Sequence, residues 1–151
     1  MKEGIEKLAL KAKFDDFVSH SPTETEEFGK RLVKELPSDA LLCFFGDIGA
    51  GKTTLIKGIA SALTELGPYE INSPTFTYLN IYEGKSILFH FDLYRLKNSE
   101  EFLEYGFNEY FYLGAMCCIE WAERIDQILP PNRITITIKH QNQNERLITV
   151  R

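Results

Sequence analysis

Gly46-Asp47-Ile48-Gly49-Ala50-Gly51-Lys52-Thr53 fits the pattern G-x-x-x-x-G-K-[ST], and its flanks decide what the pattern means. Before it, Leu41-Leu42-Cys43-Phe44-Phe45 is an unbroken apolar run, as expected of a strand buried on both faces. After it, Leu55, Ile59, Ala62, Leu63 and Leu66 share one side of a helix predicted over residues 52–66, with Gly67-Pro68 as its stop. A strand, a glycine-rich turn and a helix in this order make a phosphate cradle. Gly46, Gly49 and Gly51 let backbone N–H groups turn inward without steric bulk. The helix start adds unpaired N–H groups and the positive end of its dipole. The segment Asp47, Ile48, Gly49, Ala50, Gly51, Lys52, Thr53 and Thr54 is therefore expected to hold ATP. Lys52 is placed to reach the β- and γ-phosphates, and the Thr53 hydroxyl to ligate Mg2+. A plain glycine-rich connection would explain the glycines but not Lys-Thr at that offset.

Outward from this motif, the chain reads as strands and helices in alternation. Ser21 caps a helix that Pro22 opens, Glu24 supplies a capping box, and Phe28, Leu32 and Leu36 line one face before Pro37. Residues 76–82 and 86–91 form a predicted hairpin around Glu83-Gly84-Lys85. Asn98 starts a short helix with Glu101 as its box partner, and Gly106 ends it. Residues 115–119 are a second buried strand, and residues 122–129 a helix stopped by Pro130-Pro131. Residues 134–139 and 146–150 make a last hairpin around Gln141-Asn142-Gln143-Asn144. The expected fold is α/β: a P-loop NTPase-type three-layer sandwich whose mixed sheet has a parallel core and antiparallel hairpins. One domain over residues 1–151 is expected, with residues 1–13 readable as a strand, a short helix or a loose arm.

A phosphate cradle needs carboxylates nearby to hold the cation and orient the attacking water. Asp92 ends the run Ile87-Leu88-Phe89-His90-Phe91, and Glu120 ends Met116-Cys117-Cys118-Ile119. Acids at strand ends lie at the carboxyl edge of an α/β sheet, where ligands bind. Taken singly, each could be a solvated loop acid. The preferred assignment puts Glu120 on Mg2+ and Asp92 on the water; the reverse stays open. His90 reads as a packed or hydrogen-bonded strand residue, because no His or Cys cluster accompanies it. Arg95 is a candidate phosphate or partner contact, with a surface salt bridge as the alternative. Trp121, the sole tryptophan, suits core or pocket packing, or else stacking on a base or partner. Ser73 and Thr75 carry hydroxyls suited to a γ-phosphate switch, or simply to a turn before a strand.

Composition narrows the class. Hydrophobic residues make up 44% and aromatic residues 13% of 151, enough for one sizeable core and unlike a disordered chain. A formal net charge of -5 argues against a protein that wraps nucleic acid on its own. Cys43, Cys117 and Cys118 lack metal-ligand spacing and sit in apolar runs, so they read as buried reduced thiols. No apolar signal segment and no membrane-length apolar window are present, so a cytoplasmic location is expected.

Four segments together resemble the bacterial TsaE ATPases, which support formation of threonylcarbamoyladenosine in tRNA. They are GDIGAGKTT at Gly46 to Thr54, SPTFTY at Ser73 to Tyr78, HFDLYRL at His90 to Leu96 and IEW at Ile119 to Trp121. The resemblance runs from about Ser21 to Val150, and HFDLYR followed by IEW is its most specific part. It implies a compact P-loop fold and weak ATP hydrolysis alone. It also implies action in a complex with a TsaD-like threonylcarbamoyl transferase and its TsaB-like dimerisation partner, so tRNA is met through the complex. ATP turnover would reset the transferase between rounds. It further implies that Lys52 and Thr53 are the Walker residues, that Glu120 and Asp92 serve Mg2+ and hydrolysis, and that Thr25 and Arg146 lie near the nucleotide. The chain departs from the family's GLEEYF at Gly106-Phe107-Asn108-Glu109-Tyr110-Phe111, and carries Ile48 where Leu is usual.

Two other readings start from the same cradle. A nucleoside or small-molecule kinase would need a lid of arginines, for which only Arg95 and Arg124 offer themselves. A non-catalytic module would use the nucleotide as a conformational ligand, and Asp92 and Glu120 argue mildly against that.

Overall fold

A computed structural model describes residues 14–71 and 77–151. The expectations for residues 1–13 and for Ser73 and Thr75 lie outside the described residues.

The described strands form one seven-stranded sheet. They are β1 (Phe17–Ser19), β2 (Leu41–Phe45), β3 (Leu79–Glu83), β4 (Ile87–Asp92), β5 (Met116–Glu120), β6 (Ile134–His140) and β7 (Arg146–Val150). Their spatial order is β1-β7-β6-β2-β5-β4-β3. The central neighbours β6, β2, β5 and β4 run parallel. The hairpins β3–β4 and β6–β7 add an antiparallel strand at each side, and β1 closes one edge antiparallel to β7. The expected mixed sheet with a parallel core and antiparallel hairpins is therefore present.

Strand alternation splits the core between two faces. Leu42, Phe44, Met116 and Cys118 point to one face, against Phe28 and Leu32 of helix α1 (Pro22–Glu35) and Leu55 and Ile59 of helix α2 (Lys52–Thr64). Leu41, Cys43, Cys117 and Ile119 point to the other, against helix α3 (Ser99–Glu104) and two 3-10 segments, Phe107–Tyr112 and Ala122–Ile128. Here Phe91 gathers the rings of Phe102 at 5.6 Å, Phe107 at 5.5 Å and Tyr110 at 6.0 Å. Adjacent Cys117 and Cys118 thus fall on opposite faces. All three thiols are free and buried, and burial pushes Cys43 and Cys117 up to about 12, so they stay protonated near neutral pH.

Local differences from the sequence reading have local causes. Helix α2 ends two residues before its predicted end at Leu66, because Glu65 takes a left-handed conformation (φ 61°) and caps it ahead of Gly67. Where a helix over 122–129 is predicted, Ala122–Ile128 form a kinked 3-10 segment, broken at Ile125 (φ -129°). Both capping boxes reach one residue further back than the standard form. Glu24 accepts from the His20 amide at 2.8 Å and Glu101 from the Lys97 amide at 2.8 Å, while Ser21 and Asn98 cap their helices as expected.

Candidate nucleotide site

Strands β2, β4 and β5 deliver their carboxyl ends to one place. β2 runs directly into the loop at Gly46, and the parallel register sets Asp92 opposite Glu120 and Phe44 opposite Glu120. A cavity of about 680 Å3 opens at this edge, within the range of small-molecule sites. The loop, Lys52, Asp92, Glu120 and Trp121 all contribute to its wall.

The glycines of the loop are there for distinct reasons. Gly46, Gly49 and Gly51 all have positive φ, at 154°, 79° and 111°. A side chain at Gly46 would also collide, its Cβ lying 2.5 Å from the Ile138 carbonyl oxygen, whereas one at Gly51 would be tight, 3.3 Å from Arg146 Cδ, and in ordinary contact with Thr25 Cγ2 at 4.0 Å. A Cβ at Gly49 would meet nothing within 4 Å, so its requirement is conformational alone. The same geometry sets Thr25, from α1, and Arg146, from β7, beside the loop. Thr25 is buried and shares a 2.7 Å hydrogen bond with Ser19.

Lys52 opens α2 and is 5% exposed. Its ammonium donates to the Gly46 carbonyl and lies 4.0 Å from the centroid of the Trp121 ring. Trp121 has φ 60°, a conformation that bulky side chains rarely adopt. That turn, immediately after Glu120, brings the indole back over the loop, where its negative ring face attracts the ammonium. Trp121 also packs against Tyr94 at 5.0 Å. Arg95 lines the same cavity.

At the next residue of α2, the Thr53 hydroxyl donates to Glu120 Oε1 at 3.0 Å. Glu120 is 3% exposed, and its Oε2 is 2.8 Å from His90 Nε2. Asp92 is less enclosed and accepts the Tyr94 amide at 3.0 Å. Burial, and then the neighbouring Glu120 charge, push the Asp92 carboxyl above its ordinary value; the Tyr94 hydrogen bond, His90 and Lys52 oppose this.

The oxygens at hand suit a small hard cation. A hydroxyl and a carboxylate oxygen 3.0 Å apart, with a second carboxylate on the next strand, fit Mg2+ completed by phosphate oxygens. Among the described residues no group of three or more His, Cys, Asp or Glu side chains is arranged to hold a metal by itself. The sequence reading linked neither His90 to Glu120 nor Tyr82 to the site. The available signal was parity: His90 is two residues from Asp92, hence on the same face of β4.

Comparison with known proteins fits this geometry. The family model "Threonylcarbamoyl adenosine biosynthesis protein TsaE" matches residues 19–148. A protein of Treponema pallidum named tRNA threonylcarbamoyladenosine biosynthesis protein TsaE is 38% identical over 133 residues, covering 88% of this chain and 97% of its own. The Bacillus subtilis protein of the same name is 39% identical, covering 85% of this chain and 80% of its own. A crystal structure of Bacillus subtilis YdiB superposes with a TM-score of 0.73 at 34% identity, covering 90% of this chain and 83% of that one.

Proposed function

The chain belongs to the TsaE family, and from that premise we propose that it is a Mg2+-dependent ATPase serving threonylcarbamoyladenosine formation in tRNA. One observation carries the reading: a loop of three positive-φ glycines, Lys52 and the Thr53–Glu120 pair converge at the carboxyl edge of the sheet. The names of its relatives supply the pathway.

The roles follow from position. Amides from Asp47 to Thr54 cradle the phosphates, and Lys52 moves from the Gly46 carbonyl to their β- and γ-oxygens. Thr53 Oγ1 and Glu120 Oε1 would hold Mg2+, whose charge would offset that of the γ-phosphate. Asp92, on the adjacent strand end, orients water for attack. Thr25 and Arg146 flank the loop at Gly51, with Arg146 as a cation for phosphate or ribose oxygens. Trp121 and Arg95 line the cavity and are proposed as contacts for a partner or the terminal phosphate. Ser73 and Thr75 are proposed as the switch hydroxyls.

The partners are a TsaD-like transferase and its TsaB-like companion, through which tRNA is reached, and hydrolysis resets the transferase between turnovers. Cytoplasm is the compartment of that chemistry; among the described residues no helix is long and apolar enough to cross a membrane. The test is ATP turnover by the purified chain, alone and with the transferase pair. Slow turnover alone, stimulation in the assembly and support of repeated rounds of tRNA modification are expected. No stimulation and no effect on repeated rounds would sink the reading, and phosphate transfer to a nucleoside would make the chain a kinase.

A further inference from the structure

Behind the Thr53–Glu120 pair lies a buried chain of polar groups that the roles above leave unused. Glu120 Oε2 is 2.8 Å from His90 Nε2, and His90 Nδ1 is 3.1 Å from the Tyr82 hydroxyl. His90 is 1% exposed, Glu120 3% and Tyr82 5%. The three sit on adjacent strands β4, β5 and β3, with Cys118 opposite His90 and Leu88 opposite Tyr82. Among the described residues no buried side-chain nitrogen or oxygen is left without a hydrogen-bond partner.

The direction of the bond that holds Glu120 follows from the chemistry. An ionised carboxylate only accepts, so the hydrogen must be on His90 Nε2. With one ring proton, Nδ1 is bare and accepts from the Tyr82 hydroxyl; with two, it donates to that hydroxyl, and in both cases Nε2–H stays on Glu120. The result is a relay of contacts from Tyr82 through His90 to Glu120, ending on one named oxygen, Oε2. With Oε2 engaged, Oε1 is the oxygen turned to the Thr53 hydroxyl. A carboxylate without that hold could rotate and present either oxygen, or neither, to the cation.

We propose that His90, itself set by Tyr82, is a positioning residue that locks Glu120 so that Oε1 faces Thr53 and the bound divalent cation. This rests on the ATPase reading and deepens it. The relay acts on the metal half of the site and leaves the glycine loop and Lys52 untouched. Its signature is a loss of cation affinity at constant affinity for the metal-free nucleotide.

The experiment uses the full chain and Mn2+ as a paramagnetic stand-in for Mg2+. Mn2+ affinity of the ATP-loaded protein is read by electron paramagnetic resonance, ATP affinity in EDTA by calorimetry, and folding by thermal melting. His90→Leu should weaken Mn2+ binding by about 10-fold or more, the usual effect of losing a group that orients a ligand. Its ATP affinity in EDTA should match the native protein. His90→Gln keeps an N–H donor at similar reach and should recover most of the loss. Tyr82→Phe removes a single hydroxyl and should weaken Mn2+ binding in the same direction by less. Native Mn2+ affinity in folded His90→Leu overturns the proposal, as does a parallel loss of metal-free ATP affinity, which marks a structural role. Should His90→Leu not fold, Tyr82→Phe decides: weakened Mn2+ binding supports the relay and native binding overturns it. A native protein that takes up no Mn2+ with ATP sinks the ATPase reading itself, whereas silent variants beside normal native binding sink only the relay.

Discussion

Asp92 and Glu120 face each other across β4 and β5, yet their surroundings differ, and the proposed division of roles rests on that difference. Glu120 has a partner on each oxygen and is fixed, as a cation ligand should be. Asp92 takes one backbone amide, is half-buried, and is driven toward protonation by burial and by Glu120. Because its folded-state pKa is raised, its contribution to stability is full below the ordinary carboxyl range. That contribution is lost as pH rises through the folded value, so the ionised form weakens the ligand-free fold near neutrality. Asp92→Asn should therefore leave the ligand-free protein at least as heat-stable at pH 7, while hydrolysis falls steeply. Melting in EDTA and single-turnover hydrolysis check the two halves, and a clear drop in melting temperature would show Asp92 to be structural. At this scale the sequence was legible wherever spacing along the chain suffices. Lys52 and Thr53 sit at fixed offsets in one loop. The His90–Glu120 contact spans 30 residues and depends on which strands are neighbours, which no local pattern encodes.

The packing of α1 on α2 depends on two glycines that no turn requires. A Cβ on Gly29 would lie 2.5 Å from the Leu55 carbonyl oxygen, and one on Gly58 would collide with the Glu26 carbonyl. The helices cross backbone to backbone at these points, which pins the first turn of α2 and hence Lys52 and Thr53. In an isolated helix, glycine to alanine gains about 1 kcal/mol of propensity. Here the added methyl has only backbone to push against, and overpacking of this kind costs about 1–3 kcal/mol. Gly58→Ala should lower the urea midpoint and weaken nucleotide binding together; an unchanged or raised midpoint would mean the helices separate freely. The long elements were legible because their patterns are long: β2 is apolar throughout and α1 carries a cap, a proline and a four-residue repeat. β1 escaped notice because three residues hold no periodicity, and its place is set by pairing with β7. The 3-10 segment over Phe107–Tyr112 also went unseen, since its shape follows from ring packing around Phe91 rather than from helical spacing.

The sheet order explains how distant parts of the chain gather around one loop and its cavity. β1 and β7 lie at one side and β4 at the other, yet Thr25 at the start of α1 and Arg146 at the start of β7 flank Gly51, while Asp92 and Glu120 close the far wall. Bound Mg2+–ATP would bridge both halves of the sheet and α1 through α2, so its binding energy should appear as stability of the whole fold. A ligand at 100 times its dissociation constant adds about 2.7 kcal/mol. For a chain of this length that raises the melting temperature by roughly 5–10 °C. Lys52→Ala removes the buried ammonium without opening the core. It should abolish most of that shift while melting within a few degrees of the native protein when ligand-free, because the lost contacts are the Gly46 carbonyl and the Trp121 ring. Thermal melts of both proteins across a series of Mg2+–ATP concentrations make the comparison. An equal shift in the two would put the phosphates somewhere other than the loop. A shift present without Mg2+ but not enlarged by it would remove Thr53 and Glu120 from the cation site.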